Sequence, residues 1–282
     1  MNHLTNPLTL LKIEYAKFRS YPVINFLFWV GIILFPALLI AAKELINDLP
    51  DPLPGTAILY EFPTIWDYEG YIGGWLVFFF FGCAVIFSIT SEVNFKTQRQ
   101  NIINGYTRKD YFVAKVLNIL VLAGIATLMY VLTCLVIGII FTDDVYLALA
   151  FDNNWAIPRF YVMSVGYLSM AMFFAILFRR NGLALFVYIA YVLIFEYIIR
   201  GLHIFVLFKI GLPKEDWKSA FYYPTNIFED NMPMPLMKLQ DFMDNDMPFN
   251  FLLNPWVAFF GSILYIALFI ALSYRSFLKN DI

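Results

Sequence analysis

The chain has 282 residues, of which 61% are hydrophobic, 20% are aromatic and only 14% are charged. A soluble domain usually carries about 25% charged residues, so this composition excludes an ordinary soluble globular protein. The net charge is only −2, and we expect no nucleic-acid partner. So much apolar surface predicts a protein whose solvent is lipid, and membrane lipids are therefore expected partners.

An amphipathic helix is predicted over residues 4–19, before the first long apolar run. Apolar residues recur there at helical spacing: Leu4, Leu8, Leu11, Tyr15 and Phe18. The basic residues between them are Lys12, Lys17 and Arg19. A helix with this pattern is suited to lying in the membrane interface.

Six apolar runs are long enough to cross the hydrocarbon core, and backbone pairing requires them to be helices. They cover residues 22–42, 70–91, 116–142, 160–178, 182–210 and 251–274. The predicted fold is a single all-α transmembrane domain with six spans. The first run is too long for the apolar part of a cleaved signal peptide, and a long polar segment precedes it.

The segments between the spans differ strongly in charge. Twelve of the 19 basic residues, but only four acidic ones, fall in residues 1–21, 92–115, 179–181 and 275–282. Sixteen acidic residues fall in residues 43–69, 143–159 and 211–250. Basic segments mark the cytoplasmic side, so both termini are predicted to be cytoplasmic. The segment 211–250 is too long for a plain connector, and we expect it to pack on the outer mouth, with short re-entrant or interfacial helices.

Residues 92–110 form a cytoplasmic segment between the second and third spans. Ser91 or Asn94 is predicted to cap a short helix that runs to Asn104, with Gly105 as the residue that ends it. On charge alone, an ordinary basic loop is the alternative interpretation.

A second helix is predicted to begin after this turn and to continue into the third span. Thr107 is expected to cap it, with Asp110 at the capping-box position. Lys115 is expected to extend to the inner headgroups. A helix, a tight turn and a second helix would form a rigid docking element.

The fifth run is the only one with charged residues in its interior. Glu196 and Arg200 are four residues apart and share a helix face. At 1.5 Å per residue from Gly182, Glu196 lies about 21 Å into the span and Arg200 about 27 Å. Two interpretations stay open: a polar lining of a transport path or outer gate, or a structural ion pair that snorkels outward.

An acidic residue, an arginine, a glycine, a Ser/Thr-Arg pair and a lysine follow one another between the end of the second span and the start of the third: Glu92, Arg99, Gly105, Thr107-Arg108 and Lys115. With this set of residues the chain resembles the permeases of ABC-2 type transporters. The order of segments also matches that family. It comprises an amphipathic "elbow" helix, six spans, a short inner loop between the fourth and fifth spans, and a larger outer region between the fifth and sixth.

The resemblance implies a permease subunit that has no catalytic site and binds no cofactor or metal itself. A separate ATP-binding subunit would carry ATP and Mg²⁺, and the sequence contains no GxxxxGK[ST] phosphate loop of its own. A second permease chain, export as the direction, and the bacterial cytoplasmic membrane are implied too. Arg99 and Arg108 would pair with acidic groups of the ATPase, Glu92 would hold the base of the loop, and residues 4–19 would join the contact.

Three other functions are open to this sequence. A secondary transporter would bind a coupling ion or proton at Glu196, but residues 1–141 and 142–282 show no clear repeat. An intramembrane enzyme would need a polar cluster spread over several spans, and His3 and His203 are the only histidines. A non-transporting scaffold is the third. Cys83 and Cys134 lie inside apolar runs, so we expect neither a disulfide nor a metal site.

Overall fold

The computed structural model describes residues 7–46, 59–103, 107–144, 146–234 and 252–279. Regular structure in these ranges is helical throughout. Six helices are long and apolar enough to cross a membrane: Pro22–Lys43, Ile65–Asn94, Arg108–Phe141, Ala156–Phe178, Asn181–Ile210 and Pro255–Lys279. The predicted all-α fold with six spans is confirmed. Residues 4–6, Asn104, Gly105 and residues 235–250, which the sequence analysis interpreted, lie outside the described residues.

An elbow helix, Pro7–Ser20, precedes the first span. Its buried face consists of Leu10, Glu14 and Phe18, which follow one another at intervals of four residues. Leu8 and Tyr15, from the predicted apolar stripe, are instead 66% and 67% exposed. One face of the helix therefore packs on the bundle, and the exposed apolar residues of the other face are suited to contact lipid.

Several spans extend beyond the charge-free runs and take in charged residues. The second span includes Asp67, Glu69 and Glu92, the third includes Lys115, and the fourth includes Arg159. The prediction that only the fifth span carries interior charge is therefore wrong. The apolar runs were bounded at charged residues, whereas a helix continues through a charge wherever a partner lies opposite it.

The second and fourth spans form the core of the bundle. Most of their residues are buried, whereas only about a quarter of the residues in the first, fifth and sixth spans are buried. Within this core the rings of Tyr130 and Phe160 stack with their centroids 4.3 Å apart. The second span contains a π-helical turn, Val77–Phe81, and the Tyr188 hydroxyl donates to the Phe78 carbonyl in that turn (3.1 Å). The aromatic core thus fixes the spacing of the second, third, fourth and fifth spans.

Contacts assign the segments to two sides of the bundle. Asn94 and Asn181 bond to each other at 2.9 Å, and the Arg108 guanidinium donates to the Leu278 carbonyl at 3.4 Å. We call this side, which carries the elbow helix, the elbow side, and the opposite one the far side. All the described parts of the predicted cytoplasmic segments lie on the elbow side, while its exposure to the cytoplasm stays a prediction from loop charge.

A short helix, Pro224–Glu229, lies inside the far side of the bundle, and we call it the plug helix. A 3₁₀ helix, Lys214–Phe221, precedes it. Phe228 of the plug helix is fully buried and packs so closely on Gly166 that a β-carbon there would lie 2.6 Å from its ring. The described part of the long far-side loop therefore packs against the spans, as its length predicted.

Candidate coupling site

Four charged side chains meet where the elbow helix crosses the second and third spans. The ammonium nitrogen of Lys115 is 2.6 Å from a carboxylate oxygen of Glu14 and 2.6 Å from one of Glu92. Lys17 approaches the same two carboxylates at 2.8 Å and 3.2 Å. We call these four residues the charge network. Its two positive and two negative charges balance, so the network has no formal net charge.

The network is buried, although it lies near one end of the bundle. The side chains of Glu14, Glu92 and Lys115 are at most 3% exposed, and only Lys17, at 21%, reaches the surface. The prediction that Lys115 extends to the headgroups is wrong, because two carboxylates hold its ammonium group inside. Burial alone raises the pKa of Glu14, but Lys115 and Lys17 prevail and hold that pKa below its ordinary value. Glu14 is thus ionised at neutral pH.

The network joins three elements into one mechanical unit. Glu14 belongs to the elbow helix, Glu92 to the elbow-side end of the second span, and Lys115 to the third span. Separating the elements would leave buried charges without partners, which costs several kcal/mol for each charge. A displacement applied to the chain between the second and third spans is therefore transmitted to both spans and to the elbow helix.

The described part of the segment between these two spans contains one short helix. The second span runs through Ser91 to Asn94, so the prediction that one of these residues caps the next helix is wrong. The chain turns at Lys96, whose φ of 57° is left-handed, and the helix Thr97–Ile103 follows. We call Thr97–Ile103 the coupling helix. Its first residue bonds back to the span, since the Thr97 hydroxyl donates to the Glu92 carbonyl (3.3 Å).

The third span begins with the predicted capping box. The backbone N–H of Asp110 donates to the Thr107 hydroxyl oxygen (3.0 Å), and the N–H of Thr107 donates to the Asp110 carboxylate (3.3 Å). The prediction of this cap is confirmed. Two of the orphan donors at the helix start are satisfied in this way, so the point where the third span begins is fixed.

The five residues that the resemblance assigned to ATPase coupling fall into two groups. Glu92 and Lys115 are buried in the charge network. Arg108 is exposed beside the end of the sixth span, and Arg99 belongs to the coupling helix. Gly105 lies outside the described residues. A role in holding the loop suits the buried pair, and a role in contacting another protein suits the exposed arginine.

Glu196 and Arg200 of the fifth span both bind the plug helix. One carboxylate oxygen of Glu196 accepts from the N–H of Thr225 (2.9 Å) and the other from the N–H of Asn226 (2.8 Å). The Arg200 guanidinium donates to the Asn226 side-chain oxygen. Among the described ion pairs there is none between Glu196 and Arg200, so the predicted ion pair is wrong. The first N–H groups of a helix have no partner inside the helix, and Glu196 supplies one.

This geometry bears on the alternative in which Glu196 binds a coupling ion or proton. Both of its oxygens accept a backbone N–H, and its side chain is fully buried. A carboxylate held by two such donors is a structural cap, and moving it would leave two buried N–H groups without acceptors. The contacts thus favour a fixed Glu196.

Two carboxyl groups lie at the end of the plug helix: Glu229 is half-buried in its last turn, and Asp230 is buried directly after it. Burial raises the pKa of Glu229 to about 8, and the nearby charge of Glu196 adds to this effect. Burial also raises the pKa of Asp230 to about 7, although that side chain accepts hydrogen bonds from the Leu253 N–H and the Asn226 amide. Both groups therefore hold a proton in the folded protein at a pH where they would be ionised in the unfolded chain.

The stability of the folded protein is expected to fall as pH rises from about 5 to 8. Because the native Glu229 and Asp230 each bind a proton that the unfolded chain has lost, each pH unit removes up to about 1.4 kcal/mol for each of the two groups, until the pH reaches the raised pKa of that group. Glu229→Gln should flatten the dependence, most clearly between pH 7 and 8, where Asp230 contributes little. Thermal denaturation at several pH values measures this, with exposed Asp216→Asn as the control. Equal slopes in both variants would contradict the assignment.

Two charged sites in the core were missed by the sequence analysis. Asp67 pairs with Arg159 at 3.1 Å and accepts from the Asn153 amide, also at 3.1 Å, joining the far-side ends of the second and fourth spans. Glu69 is fully buried, and neither of its carboxylate oxygens has a hydrogen-bond partner among the described residues. The available signal was their position, because Glu69 directly precedes the second apolar run and Arg159 the fourth.

Replacing Glu69 with methionine is expected to leave the melting temperature unchanged or to raise it. A buried polar group without a hydrogen bond costs about 1–3 kcal/mol, and methionine has a similar shape without that cost. Glu92→Met is the matched comparison, because Glu92 has charged partners that would be left unpaired. Thermal denaturation of the two purified variants distinguishes them. A larger loss for Glu69→Met than for Glu92→Met would contradict this prediction.

No group of three or more His, Cys, Asp or Glu side chains lies together in the described part of the chain in a way that would hold a metal ion. Cys83 and Cys134 are free and buried.

Residues 28–282 match the family model described as "ABC-2 family transporter protein". The match includes the coupling helix, the plug helix and most of the first span, while the elbow helix precedes it. No curated protein matches the chain.

Proposed function

The chain belongs to the ABC-2 transporter family, and on that premise we propose that it is the permease subunit of an exporter driven by a separate ATP-binding subunit. As an integral multi-pass membrane protein it supplies the path, and the partner supplies the energy. ATP and Mg²⁺ bind to the partner, and this chain catalyses no reaction of its own. The same premise supports a location in the bacterial cytoplasmic membrane.

One observation carries the proposal: the coupling helix is attached to a buried and rigid base. Its first residue bonds to the carbonyl of Glu92, whose side chain belongs to the charge network. The third span then begins at a capping box, with Arg108 exposed next to it. A helix attached to a rigid base is what a motor subunit needs in order to move two spans at once.

A second permease chain belongs to the same proposal. The fifth span is mostly exposed, and large apolar residues such as Phe186, Ile194 and Phe205 are 65%, 51% and 55% exposed along it. Exposed apolar surface of this kind is suited to lipid or to another membrane helix. A symmetric pair of permeases would present two coupling helices to two ATP-binding subunits.

Purification from native membranes tests the proposal. A tagged chain, extracted in mild detergent, is expected to bring with it a protein that contains a phosphate loop and hydrolyses ATP. The chain purified alone should show no ATPase activity, and the complex should show activity that changes when the two are reconstituted in lipid. If no nucleotide-binding protein accompanies the chain, even after cross-linking, the proposal that a separate ATP-binding subunit drives it is wrong.

Transport by the reconstituted complex separates an exporter from a scaffold. ATP-dependent movement of an amphiphilic cargo between leaflets or across the vesicle membrane is the expected result. A stable complex with the ATPase that moves no cargo under any of these conditions would favour the non-transporting scaffold instead.

A further inference from the structure

A crevice of about 560 Å³ opens on the elbow side, between the elbow helix and the first and third spans. Three polar side chains lie in its lining: Arg19, Asn25 and Asn118. The remaining lining is mostly apolar and includes Phe28, Trp29 and Val121. A volume of this size is typical of small-molecule sites, which usually lie between about 300 and 1,000 Å³.

The polar groups of the crevice are free to receive a ligand. Arg19 is exposed and forms no ion pair with any described residue, and it alone is charged among the described residues of the lining. The amides of Asn25 and Asn118 are half-buried, and no hydrogen bond from either to another described residue is present. Amides next to hydrocarbon are costly unless they are bonded, so this lining favours a ligand with hydrogen-bonding groups.

The polar and apolar groups are arranged in order of membrane depth. Arg19 lies just before the first span, which begins at Pro22. Asn25 lies three residues after Pro22, which is about 4.5 Å into the span at 1.5 Å per residue. Phe28 and Trp29 follow one turn deeper along the same helix. A phospholipid has the same order, with a phosphate, then ester groups, then acyl chains.

We propose that this crevice binds one anionic phospholipid from the leaflet on the elbow side. Arg19 pairs with the phosphate, the amides of Asn25 and Asn118 donate to the ester oxygens, and Phe28, Trp29 and Val121 cover the start of an acyl chain. The sign of the charge selects an anionic lipid, because the one charged lining residue is an arginine. The site requires only that the chain lies in a membrane, so it does not depend on the ATP-driven function.

Quenching of Trp29 by brominated lipids measures occupancy of the crevice. The full chain is reconstituted in phosphatidylcholine with a rising fraction of brominated phosphatidylglycerol, and the signal of Trp29→Phe is subtracted to isolate this one of the six tryptophans. Trp29 is expected to be half-quenched at about one-fifth of the fraction of brominated phosphatidylcholine that is needed for the same effect. Arg19→Gln should abolish this preference, while Lys12→Gln, exposed on the same helix, should keep it.

Two further arms separate the lipid from other occupants. Inorganic phosphate should not displace the brominated lipid, and Asn118→Leu should keep the preference between the two lipids, because both carry the ester oxygens that the amide contacts. Equal quenching of the unmodified chain by both lipids, or an unchanged preference in Arg19→Gln, would overturn the proposal. So would relief of quenching by free phosphate, which would identify a simple anion site, or protection of Trp29 from both lipids, which would indicate that a second copy of the chain covers the crevice.

Discussion

Replacing Lys115 with methionine is expected to destabilise the folded protein by about 3–5 kcal/mol. The substitution keeps the length of the side chain but removes the charge that Glu14 and Glu92 share at 2.6 Å. Both carboxylates are at most 3% exposed, so water cannot replace the lost partner. Lys17 alone would then face two negative charges. We expect a fall in melting temperature on the order of 10 °C.

A matched control and a compensating variant make this prediction specific. Lys109 is exposed on the same helix, and Lys109→Met should leave the melting temperature nearly unchanged. Glu92→Gln added to Lys115→Met should restore a large part of the loss, because Glu14 and Lys17 then remain as a balanced pair at 2.8 Å. Thermal denaturation of the purified chain in one detergent compares all three. If Lys115→Met has the same melting temperature as Lys109→Met, the charge network does not hold the three elements together.

The network also shows what could not be predicted from the sequence. Six spans follow from apolar length, and the Thr107–Asp110 cap follows from a spacing of three residues, so both depend on neighbours in the chain. Glu14 and Lys115, by contrast, are 101 residues apart, and only the packed bundle brings them together. A signal was present in Glu14 itself, the one acidic residue among Lys12, Lys17 and Arg19.

In the fifth span, the sequence suggested a local contact that the described part of the structure does not contain. A spacing of four residues suggested that Glu196 and Arg200 pair with each other, since local pairs are the ones a sequence displays. The plug helix lies 29 residues further along and offers two backbone N–H groups that have no partner inside their own helix. Leaving these two buried N–H groups without acceptors would cost more free energy than an ion pair between Glu196 and Arg200 would contribute. Prediction from one helix therefore missed a partner supplied by a loop.

Reversing the charge of Arg99 and Arg108 together is expected to uncouple the ATP-binding partner from the permease. Arg99 belongs to the coupling helix, and Arg108 is exposed at the start of the third span. If both pair with acidic groups of the ATPase, Arg99→Glu and Arg108→Glu create two like-charge contacts in place of two attractive ones. Association should weaken by at least about tenfold, and ATP hydrolysis should no longer respond to reconstitution in lipid.

A double variant at the end of the sixth span tests whether position or total charge matters. Arg275→Glu and Lys279→Glu change the net charge equally and lie on the same side of the bundle, but outside the segment 92–110. Coupling should persist in that variant, and both proteins should fold, since neither change touches the charge network. Unchanged coupling in the Arg99 and Arg108 variant would remove these residues from the contact, and the rigid base beneath the coupling helix would then need another explanation. Loss of coupling in the Arg99 and Arg108 variant alone would show that these two arginines, and not the basic character of the elbow side, connect the ATP-binding subunit to the spans.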